Sequence, residues 1–207
     1  MDQQQPLSEH QYLESKANQS RGSVAWYLLP FIILIRPGRF MLSWGIHANI
    51  VWILFAAWIV GAGRISNWVI NQQRLDANPL PFKIESWTTL FLVLGVLGLL
   101  RGAFEYGLGG AWTWLKLRIC GIRGNEWNRS TRIYLFARLV EMVPALLLLI
   151  YFTQRYTGLR EYISQPVAWP NYVVMAFFFL SPIIAYLGVK SCYSIQKAWG
   201  VVLFLVW

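Results

Sequence analysis

Arg101 and Glu105 stand four positions apart in LLRGAFEYGLGG (residues 99–110), and Arg138 and Glu141 stand three apart in ARLVEMVPALLLLI (137–150). Residues at these spacings share one face of a helix, so each pair can close an ion pair, and the Arg of one stretch could also meet the Glu of the other. His47 sits in a third apolar stretch. A charge near the centre of a bilayer costs at least about 2.5 kcal/mol unless it is paired. Two arrangements meet that demand. One is a structural clamp whose arginines extend toward lipid phosphate. The other is a polar cavity open to the cytoplasm that holds a lipid headgroup, a proton or a partner's side chain, with Glu105 and Glu141 as its ionisable groups and His47 as their neighbour.

Equipment for catalysis is sparse. The only histidines are His10 and His47, so the chain holds neither an HExxH zinc helix nor two histidine ligands on one face. GxSxG, GxxxxGK[ST] and GxGxxG are absent too. Ser43 and Ser181 lie in apolar runs, where hydroxyls usually bond the backbone a turn earlier. Cys120 and Cys192 lack CxxC spacing and read as free thiols. The expectation is a protein that is not an enzyme and holds no cofactor or metal.

The elements that position these charges are membrane helices. The chain is 57% hydrophobic and 13% charged, where soluble chains carry about a quarter charged residues. An all-α, polytopic transmembrane helical bundle is predicted. Residues 1–23 form a flexible polar tail, and residues 24–39 an interfacial segment, since Val24–Ile35 is too short to span and stops at Arg36-Pro37-Gly38-Arg39. The transmembrane domain covers 40–207. Its first span is predicted at Phe40–Gly63, closed by Arg64 at the head of a polar loop. The second runs Trp87–Leu115; its 29 residues would reach about 43 Å, so the Gly107–Gly110 cluster is expected to break it. The third is Ile133–Thr153 and the fourth Tyr172–Val189. Ala198–Trp207 begins a fifth, and its 10 residues suggest a chain cut inside that span. Counted from the cytoplasmic ends of these spans, His47, Arg101, Glu105, Arg138 and Glu141 share a layer roughly 3 to 12 Å into the inner part of the membrane.

Orientation follows from basic residues near span ends. With a cytoplasmic amino terminus, Lys16, Arg21, Arg36, Arg39, Lys116, Arg118, Arg123, Arg129, Arg132, Lys190 and Lys197 lie inside. Only Arg64, Arg74, Lys83, Arg155 and Arg160 lie outside. The loop from Lys116 to Arg132 holds five basic residues (Lys116, Arg118, Arg123, Arg129, Arg132) against Glu126. It reads either as a patch for anionic headgroups or a docking partner, or as topology enforcement alone. No module for reading nucleic acid accompanies it. Gly95, Gly98 and Gly102 line one stripe of the second span, where small residues let two helices approach, in an internal contact ahead of a homo-oligomer.

Several of these features resemble the Ypt-interacting protein (Yip) family of multi-span membrane proteins, from about Leu34 onward. The likeness rests on Pro37 and Phe40 leading into the first span, on the glycine-rich close of the second, and on Arg132, Tyr134, Ala137 and Pro144. It continues through Tyr186-Leu187-Gly188-Val189-Lys190, Tyr193 and Lys197-Ala198. The resemblance implies a five-span bundle with a cytoplasmic amino terminus. Eukaryotic members are similar to trafficking adaptors for prenylated small GTPases and carry an Asp-Leu-Tyr-Gly-Pro-like signature. Here Ile35-Arg36-Pro37-Gly38 stands near its place, which argues against a GTPase partner. The chain is more similar to the compact bacterial members, so the resemblance implies a bacterial inner membrane, with endoplasmic reticulum or Golgi as the alternative.

The functional expectation is a non-enzymatic integral membrane scaffold or adaptor, including a subunit of a larger membrane assembly or a membrane-organisation or trafficking factor; the alternative is a small transporter or channel component using a cytoplasm-facing intramembrane charge cluster. Membrane-protein partners or further copies of the chain would bind it. With both cysteines inside, an impermeant thiol reagent applied to intact cells or spheroplasts should leave Cys120 and Cys192 unmodified until the membrane is opened, and labelling of Cys120 from outside would invert the topology.

Overall fold

The computed structural model describes residues 29–75, 84–122, 126–165 and 169–193. The amino-terminal tail, Val24 to Leu28, Arg123 and the predicted fifth span therefore lie outside the described residues. Those described are helical and include no strand. In order they form α1 (Leu29–Ile35), α2 (Pro37–Ser43), a 3-10 turn (Gly45–His47), α3 (Ile50–Arg74), α4 (Trp87–Phe104), a π-helical segment (Glu105–Gly109), α5 (Gly110–Ile119), α6 (Trp127–Arg155), α7 (Leu159–Ser164) and α8 (Trp169–Cys192). Four helices are long and apolar enough to cross a membrane: Ile50–Arg74, Trp87–Ile119, Trp127–Arg155 and Tyr172–Cys192.

The first span begins later than its hydropathy suggests. Pro37 opens α2 at a position where its missing N–H costs nothing. That helix stops at Ser43, and the chain turns through Gly45–His47. Asn49 then caps α3, its side chain accepting the Trp52 N–H at 3.1 Å. A side-chain oxygen that satisfies an orphan helical N–H starts a new helix. The predicted span Phe40–Gly63 is thus two pieces, and the membrane-length helix is Ile50–Arg74. Arg64 moves from a loop to the interior of a helix. Phe40 and Met41 are buried in the main core with Phe136, Ile133 and Val189, so α2 is packed against the bundle.

The glycine cluster 107–110 does not break the second span. One helix of 33 residues runs Trp87–Ile119, widened by the π segment. These glycines matter for approach: an added Cβ on Gly109 would collide with the Tyr134 ring, and one on Gly110 with Thr131. The basic loop is corrected likewise. Lys116 and Arg118 belong to α5, Arg129 and Arg132 to α6. Arg118 stacks on Trp114 at 4.5 Å and Arg129 lies over Tyr193 at 5.8 Å. Arg132 donates to the Ile46 carbonyl. Ser43 does bond back one turn, to the Arg39 carbonyl at 2.7 Å, but Ser181 crosses from α8 to the Ala137 carbonyl of α6 at 3.1 Å.

Two packed clusters make up the core. One joins α2, α3, α6 and α8 around Met41, Val60, Ile133 and Val189. The other closes the opposite end, where Phe152 stacks on Tyr162 at 4.6 Å and Trp87 Nε1 donates to the Tyr156 carbonyl at 2.9 Å. Outside the spans, the Thr157 hydroxyl and N–H donate to Glu161 and hold its carboxyl below the usual range. Cys192 is buried, whereas Cys120 is partly open, so Cys120 is the reporter for topology labelling. Burial pushes the Cys120 thiol up, and since the thiolate is the reactive form, its labelling speeds up in mildly alkaline buffer.

Helices α3 and α4 approach through small residues. A Cβ on Gly98 would lie 3.0 Å from Ala62 Cα, and one on Gly102 would lie 2.6 Å from the Ala57 carbonyl oxygen. A Cβ on Gly61 would strike the Gly98 carbonyl. Gly95 departs from the predicted stripe: a Cβ there meets nothing within 4 Å, and its carbonyl accepts Trp58 Nε1 at 3.3 Å. Gly61→Ala should therefore lower stability by about 1–3 kcal/mol, typical of overpacking, while Gly95→Ala is tolerated. Thermal unfolding of both variants in the same detergent checks the contrast.

Candidate functional site, an arginine and glutamate cluster

The two intrahelical pairs form as their spacing suggests. Arg101 donates to Glu105 Oε1 twice, from Nε at 3.0 Å and from Nη2 at 2.8 Å. Arg138 Nη1 donates to Glu141 Oε2 at 2.9 Å. No ion pair joins Arg101 to Glu141 or Arg138 to Glu105 among the described residues. What links the two pairs is Arg64, which stands inside α3 rather than at the head of a loop. Arg64 Nε lies 3.9 Å from Glu105 Oε1, and its Nη1 lies 3.8 Å from Glu141 Oε1. The Tyr134 hydroxyl of α6 completes the connection by donating to Glu105 Oε2.

Helix geometry explains why Arg64 reaches both carboxylates. Side chains on a helix lean toward its amino terminus. The contacts of Gly61 with Gly98 and Gly102, and of Gly102 with Ala57, show that α3 and α4 run antiparallel. Arg64 and Glu105 therefore lean toward one another. Gly63 touches Met142, which sets α6 beside α3 with Glu141 close to the level of Arg64. The small residues at this crossing bring the helices close enough for the guanidinium to arrive.

Both carboxylates are enclosed, at 7% and 5% side-chain exposure, whereas Arg64 and Arg138 are at 29% and 25% and Arg101 at 45%. Three guanidiniums face two carboxylates, a net charge of +1. Nε of Arg64 is buried without a hydrogen bond, so its tie to Glu105 is electrostatic. Beside the Arg101–Glu105 pair runs an open groove of about 610 Å³, lined by Phe104, Leu108, Trp112, Trp114 and Trp127 among others. It lies on the outer face of α4 and α5 and is mostly apolar.

His47 is not part of this layer. It sits in the 3-10 turn beside Ile46, whose carbonyl accepts from Arg132. Arg132 precedes Glu141 by nine residues of α6, or about 13 Å. Glu141 itself has 14 residues of α6 on either side, so the cluster stands about 21 Å along the helix from each end. Of the predicted site residues, Arg101, Glu105, Arg138 and Glu141 come together, Gly98 and Gly102 support them, and His47, Gly95 and the basic residues of α5 and α6 stand apart. Arg64 could have been found by weighing Asn49 as a helix cap, which moves the span forward until it encloses that arginine.

No family model, curated protein or solved structure matches this chain. Among the described residues, fold and cluster define an all-helical arrangement with four membrane-length helices, three of which are tied through the enclosed carboxylates.

If Arg64 is the link, then Glu105→Gln and Glu141→Gln should show coupled effects on stability in the native chain. Removing one partner of a buried pair costs about 3–5 kcal/mol. In an Arg64→Met background the two substitutions should become additive to within about 0.5 kcal/mol. Denaturant titration of the four combinations in each background measures this.

Proposed function

We propose that this protein is a non-enzymatic integral-membrane scaffold or adaptor that works by binding other membrane proteins. One observation carries the reading: the strongest polar groups within the spans are engaged with one another, while α4 and α5 leave much of their surface uncovered. Glu105 and Glu141 accept from arginine and tyrosine of the same chain. Within the most apolar window of Trp87–Ile119 only 28% of residues are buried. Leu92, Val96, Leu99, Leu100, Phe104 and Leu108 are each at least 58% exposed. Such a face meets lipid or another helix, and helices in lipid associate by packing and interhelical polar bonds.

The reading extends to location and kind. A cytoplasmic amino terminus gains support from Arg64 leaving the outer loop, which leaves Arg74, Lys83, Arg155 and Arg160 there against the eleven basic residues inside. We place the chain beside the compact bacterial Yip-like proteins, in an inner membrane, on the sequence resemblance alone. Ile35–Gly38 speaks against small GTPases as its partners. The alternative, a small transporter or channel component, draws on the positive excess of the cluster and on the exposure of Arg101. It draws less on the glutamates, whose oxygens are already taken up.

Affinity purification of the full chain in mild detergent, alongside an unrelated multi-span control, tests the adaptor reading. A specific membrane protein should co-purify in near-stoichiometric amount. Migration of the chain alone, with nothing enriched over the control, would overturn it.

A further inference from the structure

The geometry points to a specific occupant for the groove beside Arg101: a transmembrane helix of another protein that carries a single carboxylate in the middle of its apolar run. This deepens the adaptor reading and rests on it. The argument begins with charge. Arg64, Arg101 and Arg138 share Glu105 and Glu141, so the cluster has one positive charge in excess. The other seven acidic residues of the chain, Asp2, Glu9, Glu14, Asp76, Glu85, Glu126 and Glu161, lie outside its four membrane-length helices. Arg64 is the guanidinium without a short carboxylate contact, and Arg101, paired with Glu105 at 2.8 Å, is the most exposed of the three at 45% and is the one that lines the groove, so the cluster's positive excess is accessible there.

Shape and depth select the class of partner. Arg101 is 14 residues from Trp87 and 18 from Ile119 along one continuous helix, or about 21 and 27 Å from its ends. That places it near the middle of the helix, where a guanidinium reaches a lipid phosphate only by extending along the helix surface, and the anionic-vesicle arm of the test below separates that source. A carboxylate on a helix reaches that depth readily. From Arg101 the groove continues past Phe104, Leu108 and Trp112 to Trp127, an apolar trough suited to a helix surface. A second copy of the chain fits poorly, because its own intramembrane carboxylates are enclosed in its own cluster. The segment 198–207 of this chain carries no acidic residue and cannot supply the missing charge.

The test uses the full chain reconstituted in vesicles of neutral phospholipid, with a fluorescent synthetic helix of leucine and alanine as probe, bearing Asp, Ala or Lys at its centre. Energy transfer from the labelled chain to each probe reads association. The Asp probe should associate about tenfold more tightly than the Ala probe. That preference should persist in Arg101→Lys, vanish in Arg101→Gln and turn toward the Lys probe in Arg101→Glu. Unfolding midpoints of the variants identify any that fail to fold, and Arg101→Lys, which keeps the charge, serves as the folded reference. Equal association of Asp and Ala probes with the native chain would overturn the proposal, as would an Asp preference that survives Arg101→Glu. Two further outcomes also overturn it: loss of the preference when the vesicles contain one-fifth anionic phospholipid, which assigns the groove to a lipid, and Arg101-dependent transfer between two labelled copies of the chain, which assigns it to self-association. If a partner co-purifies with the native chain and equally with Arg101→Gln, the adaptor reading stands and this inference falls.

Discussion

Arg64 holds a guanidinium between carboxylates from two other helices, and the central packing of the protein depends on that bridge. In water such a pair contributes little, because solvent competes for each charge. Among membrane-length helices the competition is weak, and the alternative to pairing is an isolated charge in hydrocarbon. An ion pair at 3.8 or 3.9 Å, too long for a good hydrogen bond, still orients three helices there. The short hydrogen bonds within helices, Arg101 to Glu105 and Arg138 to Glu141, screen the carboxylates from lipid but cannot join one helix to another. Arg64 and Tyr134 make the joins.

The bridge requires close approach. Gly61, Gly98 and Gly102 strip side chains from the crossing of α3 and α4 so that backbone meets backbone. Gly109 and Gly110 do the same against Tyr134 and Thr131 of α6. Packing of small residues supplies dispersion where no hydrophobic drive exists between helices, and it sets the distance over which the charged side chains must extend. The π segment begins at Glu105 and ends at Gly109, so it joins the carboxylate to the second of these glycine contacts within one widened turn.

Charge is not fully balanced by this arrangement. The carboxylates are enclosed, and Arg101, the most exposed of the three guanidiniums, lines an apolar groove. Under the proposed reading, the outer edge of the clamp also serves as a contact surface.

Much of this protein is legible from its residues alone, because hydropathy and helical spacing are local properties. The all-helical class, four apolar stretches of membrane length and the pairs Arg101–Glu105 and Arg138–Glu141 all follow from neighbours within a few positions. The glycine contact of α3 with α4 was half visible: Gly98 and Gly102 declare a small-residue stripe, but only the partner helix shows that Gly95 lies beyond it. Tertiary structure decided the rest. Where the first span begins depended on whether Asn49 or the apolar run ahead of it would govern, and packing of Phe40 and Met41 against α6 and α8 settled that in favour of the cap. That shift carried Arg64 into the cluster and left His47 behind. Whether Gly107–Gly110 would break a helix or admit a neighbour depended on Tyr134 and Thr131, more than twenty residues away in the chain. Hydropathy records how each segment meets lipid, whereas the joining of charges across helices depends on distances that exist only once the helices have packed.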